Sequence, residues 1–176
     1  MTSVQRTIWL LRHAKAVVDP PSGGGDHERP LSAKGRRDAV ALGRRLADDG
    51  DRLGLSSFPE LVLCSTATRT QQTADRVLAD LADPPPVRYL REIYEASPAD
   101  VVEVLHTVDD DVRSVMVVGH NPTIEVLAST LDRAKGRGPA RRALPTCALA
   151  VFAFESPWAG LTLGAASSPE LFVPPF

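Results

Sequence analysis

The sequence predicts an α/β fold, a three-layer α/β/α sandwich around a mostly parallel central sheet. Three short apolar runs carry that expectation: Thr7–Leu11, Leu61–Cys64 and Val115–Val118. Each is too short for a helix and lacks the alternation of a half-solvated strand, so each reads as a strand buried on both faces. Stretches of helical periodicity separate them, and strands alternating with helices argue for parallel pairing.

Thr7–Leu11 is the first strand. The Gly/Pro-rich stretch Asp19–Pro30 is a loop. Ser32 can cap the next helix, whose face is Ala39, Leu42, Gly43 and Leu46. After the strand Leu61–Cys64, Ser65 or Thr66 can cap a helix in which Ala74, Val77, Leu78 and Leu81 share a face, with Pro84–Pro86 ending it. Val87–Leu90 is a short strand. Ser97-Pro98 gives a cap followed by proline at the first helical position, and Val101, Val104, Leu105 and Val108 form the stripe behind it. Val115–Val118 is followed by a second cap-plus-proline pair, Asn121-Pro122, and by a helix with Ile124, Leu127, Ala128 and Leu131 on one face. Lys135–Leu144 reads as a basic loop. Ala148–Phe154 and Leu161–Ala165 read as a final pair of strands turning near Pro157, and the proline-rich tail from 168 as irregular.

A length of 176 residues suits a single domain over 1–176. The net charge of −2 is too small to favour nucleic acid or a membrane surface, and 5% aromatics leave little for base stacking. The two cysteines, Cys64 and Cys147, read as reduced buried thiols rather than a disulfide scaffold. Ile8–Leu11 is too short for a signal or a span, so a cytoplasmic location is expected.

The chemistry gathers where strands end. The first strand runs into Arg12-His13-Ala14-Lys15, the second into Ser65-Thr-Ala-Thr-Arg69 and the fourth into Gly119-His120-Asn121-Pro122. Ligands bind beyond the carboxyl ends of parallel strands, so Arg12, His13, Arg69 and His120 can meet at one edge. Two guanidinium groups, two imidazoles and nearby helix N-termini describe a phosphate site. Arg12, Arg69 and His120 would hold the equatorial oxygens. His13 would be the in-line nucleophile, forming a phosphohistidine that water hydrolyses. That requires a neutral ring nitrogen on His13, favoured by the neighbouring guanidinium groups, with a backbone carbonyl fixing the tautomer. Glu92 is the first candidate proton donor to a leaving alkoxide, with Glu95 and Asp100 behind it; a phosphoramidate leaving group needs less help. No metal or other cofactor is required, and the four histidines show no metal-ligand spacing.

With these residues in place, the chain resembles the histidine phosphatase (phosphoglycerate mutase-like) superfamily, and most of all its SixA-like phosphohistidine phosphatase branch. Four blocks occur in order: LLRHAKA at Leu10–Ala16, RPLSAKG at Arg29–Gly35, Ser65/Arg69/Thr73 in CSTATRTQQTA, and Gly119–Pro122. The resemblance extends to about Phe154. It implies a phosphoglycerate mutase-like fold, a phosphate pocket of Arg12, His13, Arg69 and His120, and phosphorylation of His13. Glu92 in LREIYEAS falls where many members keep their acid. The long insertions of the mutases are absent, which implies an open site. The expected partner is a phosphorylated protein or a small phosphorylated metabolite such as a nucleotide or sugar phosphate. The alternative from another class is a non-catalytic module that binds a phospho-ligand.

Other features have plainer explanations. Lys15 reads as an exposed loop lysine, and His27 and His106 as structural or exposed. Arg133, Lys135, Arg137, Arg141 and Arg142 form a solvated basic loop, or else a docking surface for an acidic or phosphorylated partner. Pro145-Thr146 recurs in SixA-like proteins and borders the expected pocket. Cys64 to Arg69 superficially matches a cysteine-phosphatase loop, but only four residues intervene and the glycines are missing. The sequence is silent on oligomeric state.

Overall fold

A computed structural model describes residues 4–21, 23–49, 58–132 and 143–176. The strands are β1 (Arg6–Arg12), β2 (Leu61–Ser65), β3 (Val87–Leu90), β4 (Ser114–Gly119), β5 (Leu149–Phe154) and β6 (Glu170–Phe172). The helices are α1 (Ala33–Asp49), α2 (Thr68–Leu78), α3 (Pro98–His106) and α4 (Thr123–Leu131). One six-stranded sheet has the order β3-β2-β4-β1-β5-β6. β3, β2, β4 and β1 pair in parallel, and β5 and β6 add antiparallel strands at the β1 side.

Residue alternation along the central strands sorts the core into two layers. Ile8, Leu10, Leu63, Val115 and Val117 face α3 and α4 through Val101, Leu105, Ile124 and Leu127. Trp9, Leu11, Val62, Met116 and Val118 face α1 and α2 through Ala39, Leu42, Ala74 and Val77. The three-layer sandwich follows, because strands covered on both sides have no polar face to offer.

Local signals position the helices. Ser32 Oγ accepts from the Gly35 amide, and Ser97 and Asp100 form a reciprocal capping box on α3. Gly35 is demanded by packing: a Cβ there would lie 2.1 Å from the Lys15 carbonyl oxygen, so the first turn of α1 rests directly on the chain leaving β1.

Four expectations are corrected. Leu161–Ala165 is not a strand. Gly164 takes a left-handed conformation, and the amides of Gly164 and Ala166 go to Thr130 and Leu131, satisfying the carboxyl end of α4 rather than a ladder. The missing strand lies in the tail as β6, paired with β5. α2 stops at Leu78, before Leu81 and Pro84, although Leu81 still packs on the core. Ser65, Thr66 and Asn121 cap no helix: Ala67 and Pro122 hold the cap positions, and all three side chains bond elsewhere. The basic cluster Arg133–Arg142 lies outside the described residues. Cys64 and Cys147 are free and buried. Among the described residues no helix is long and apolar enough to cross a membrane.

Candidate active site

The carboxyl ends of β1, β2 and β4 lie side by side, with Arg12 in register with Gly119. The His13 amide donates to the Gly119 carbonyl at 3.0 Å, placing His13 beside the chain that leads into His120. The two imidazole rings are 5.2 Å apart, centroid to centroid.

His13 Nδ1 lies 2.8 Å from the carbonyl oxygen of Ala14. A carbonyl only accepts, so Nδ1 carries the hydrogen and Nε2 keeps its lone pair. Burial lowers the pKa of His13 to about 4. The Ala14 carbonyl opposes the shift, and the charges of Arg69, Arg12 and Arg29 add to it. The sequence argument has the direction right, but desolvation outweighs the guanidinium groups. His120 is lowered to about 3, again first by burial and then by His13 and Arg69.

Each block of the sequence has a mechanical role. Ser65 Oγ meets His120 Nε2 at 2.8 Å, and His120 Nδ1 is buried without a protein partner. Thr73 Oγ1 donates to the Arg69 carbonyl and accepts from the Ala14 amide. Arg69 therefore sits on a helix tied to the residue after His13. Arg69 is only 6% exposed. Arg12 donates to the Leu144 carbonyl at 2.6 Å, and burial lowers its pKa. The turn containing Pro145 and Thr146 closes the back of the site: the Cys147 amide reaches the carbonyls of Arg12 and His13, while Asn121 and Glu125 hold Leu144.

Arg12, His13, Arg69 and His120 are thus brought together, with the Nε atoms of both arginines buried and unpartnered. Such a set can receive an oxyanion and present an imidazole lone pair to its central atom.

The family model for the histidine phosphatase superfamily (branch 1) matches residues 8–101, from β1 into α3. The chain belongs to the histidine phosphatase superfamily. It is 37% identical to an uncharacterised protein of Mycobacterium tuberculosis, over 93% of this chain and 99% of the relative. Among solved structures it is similar to a proposed phosphohistidine phosphatase SixA from Nakamurella multipartitia, with 31% identity, a TM-score of 0.78, and 98% and 96% of the two chains covered. A second proposed SixA, from Agrobacterium tumefaciens, is 27% identical with a TM-score of 0.74, covering 96% of this chain and 99% of its own. The chain is a phosphatase with the phosphoglycerate mutase-like fold, of the SixA-like kind.

In this histidine phosphatase no hydrogen bond or ion pair joins Glu92 to the cluster. The 3-10 turn Arg91–Ile93 buries Ile93 and leaves Glu92 exposed, on a groove shared with Leu90, Asp100, Glu103, Val104 and Thr107. Glu95 is exposed, and Asp100 is occupied by its capping box. Among the described residues, the carboxylate bonded to a member of the cluster is Asp26. It accepts from Arg69 at 2.9 Å and from the Tyr94 hydroxyl at 2.8 Å.

Tyr94 stands edge-on to His120 at 5.5 Å and to His27 at 4.8 Å, and the Arg69 guanidinium lies 5.8 Å from its ring centre. His27 also meets Thr66 Oγ1 at 3.0 Å, so it borders the site rather than standing apart from it. His106 binds the Leu161 carbonyl and is structural. Cys64 faces the α1/α2 layer with its pKa pushed up to about 12, which removes any cysteine nucleophile at this loop.

Sequence reasoning missed Asp26 and Tyr94. A signal for the first exists: a buried arginine such as Arg69 needs a counter-charge, and Asp26 lies three residues before the Arg29–Gly35 block.

Proposed function

We propose that this phosphatase is metal-independent and removes phosphoryl groups from phosphohistidine in proteins, through a phosphohistidine intermediate on His13. One observation carries the reading: the His13–Ala14 hydrogen bond leaves Nε2 as a free lone pair on a neutral ring beside Arg12, Arg69 and His120. Nucleophilic attack needs that protonation state, and the two guanidinium groups supply the charge that the transferring group's oxygens require. His120 Nδ1 is the donor atom left for a third oxygen.

The protein substrate is supported by the likeness to proposed SixA phosphohistidine phosphatases. The test is hydrolysis of a phosphohistidine protein beside a panel of nucleotide and sugar phosphates, with EDTA present, by wild type and His13→Ala. The expected result is turnover of the phosphoprotein well above the panel, unaffected by EDTA and abolished in the variant. Preference for a small phosphate would overturn the substrate, loss of activity in EDTA would overturn the metal-free mechanism, and phosphate binding without turnover would leave only a binding module.

A further inference from the structure

None of the three carboxylates that the sequence offers as proton carriers, Glu92, Glu95 and Asp100, is bonded to the paired histidines or to Arg69: all three are exposed, and Asp100 is held by its capping box. Among the described residues a different carboxylate is bonded to Arg69, and its geometry suits the task. We propose that Asp26 is the catalytic acid and base of this site, with Tyr94 positioning it; this rests on His13 being the nucleophile.

Asp26 begins the 3-10 turn Asp26–Glu28, at the edge of the loop that borders the pocket. Its side chain is 55% exposed, whereas Arg69 beneath it is 7% exposed. In-line displacement sends the leaving atom away from His13, and Asp26 is the exposed partner of the buried Arg69, where it can meet that atom from the solvent side. Two groups hold the carboxylate: Arg69 donates to Oδ2 and to the Asp26 carbonyl, and Tyr94 donates to Oδ2. Arg29 lies 3.4 Å from Oδ1. Tyr94 is itself wedged between the rings of His27 and His120, so Asp26 is braced against the histidine pair rather than carried on a free loop.

At rest the Tyr94 hydrogen bond, and then the charge of Arg69, hold Asp26 below the usual carboxylate range, so it is ionised. An arriving phosphate competes for Arg69. A phosphate monoanion brings its own proton, which passes to Asp26 as the phosphate oxygens take over the guanidinium. In the first step the His13 Nε2 lone pair forms a bond to phosphorus, the bond from phosphorus to the leaving atom (a ring nitrogen of phosphohistidine or the oxygen of an ester) breaks, and that atom takes the proton from Asp26. In the second step the Asp26 carboxylate takes a proton from water. The water oxygen bonds to phosphorus, and the P–N bond breaks with its electron pair returning to Nε2. Inorganic phosphate leaves with the proton, and Asp26 returns to Arg69.

The experiment compares wild type, Asp26→Asn, Tyr94→Phe, Glu92→Gln and His13→Ala on p-nitrophenyl phosphate, whose leaving group departs unprotonated, and glycerol 2-phosphate, whose alkoxide does not. In Asp26→Asn, kcat/KM for glycerol 2-phosphate should fall about 100-fold or more while that for p-nitrophenyl phosphate changes little. Its kcat on p-nitrophenyl phosphate should fall by a similar factor, with a burst of nitrophenol equal to the enzyme present and acid-labile phosphate retained on His13. Tyr94→Phe should show the same pattern more weakly. Thermal melting of Asp26→Asn, an exposed change, confirms that the variant is folded. Equal losses on both esters without a burst, or a rise in kcat/KM on both, would overturn the assignment and leave Asp26 as a counter-ion. A leaving-group-dependent loss in Glu92→Gln instead would also overturn it. Activity retained in His13→Ala, or none in wild type on these esters and on a phosphohistidine protein alike, would overturn the nucleophile itself and this assignment with it.

Discussion

Thr73 Oγ1 accepts the Ala14 amide at 3.0 Å and donates to the Arg69 carbonyl at 2.6 Å, so one hydroxyl links the helix that carries Arg69 to the residue after His13. Replacing it with valine keeps the volume and removes both bonds, leaving a buried amide unpaired. The expected cost is about 1–3 kcal/mol of stability, read by urea denaturation. A fall in kcat of up to about 100-fold should follow from misplacement of His13 against Arg69.

Arg69 is buried beneath Asp26 and has no substitute of like charge from its own helix turn. Arg69→Ala should lower kcat by about 100- to 1000-fold, the usual cost of removing one preorganised charge donor. Arg69→Lys should recover only part of this, because an ammonium cannot bind two oxygens side by side. Steady-state kinetics on p-nitrophenyl phosphate with both variants is the check.

The pH profile should carry the mark of burial. An exposed histidine nucleophile loses activity below its reference pKa of about 6.5. With His13 lowered to about 4, the acid limb of kcat/KM should lie well below pH 6. A profile that falls through pH 6.5 on a substrate with no titration there would contradict the buried, neutral ring.

The same shift predicts a stability trend with a definite sign. In the folded protein His13 and His120 titrate near 4 and 3, below their value in the unfolded chain. The unfolded state therefore binds more protons between those values and 6.5, and stability rises with pH across that window. Their contribution is complete above about pH 6.5 and is lost as the pH falls towards 4 and then 3. Urea midpoints between pH 5 and 7 should fall with acid in wild type, and less steeply in His13→Gln.

Gly35 offers a structural test. A methyl group there would collide with the Lys15 carbonyl, which already accepts from the amide and hydroxyl of Ser32. Backbone cannot move aside as a side chain does, so Gly35→Ala should destabilise by about 1–3 kcal/mol or more. Thermal denaturation should show it, together with lower activity as the chain after His13 shifts.

These relationships separate what a sequence can reveal here from what it cannot. Val115–Val118 and its partners are legible because a strand covered on both faces must be apolar throughout. His13, Arg69 and His120 are legible because parallel strands deliver their carboxyl ends to one edge. β6 is not legible: it is a short antiparallel edge strand in a proline-rich tail, and its pairing is decided by β5 rather than by its own pattern. Glu92 and Tyr94 stand two residues apart, and whether the carboxylate or the phenol faces the histidines depends on a single 3-10 turn that no periodicity reports. Asp26 lies in a loop where hydrophobic pattern is silent, and only the charge balance of the pocket points to it.

The central claim is that His13 Nε2 faces the central atom of an oxyanion held by Arg12, Arg69 and His120. A crystal structure of the protein with vanadate tests it most directly. The expected result is a vanadium–Nε2 bond to His13, with both guanidinium groups and His120 on the equatorial oxygens and Asp26 displaced from Arg69. Vanadate bound away from these four side chains, or held by the arginines with the His13 ring turned aside, would contradict it.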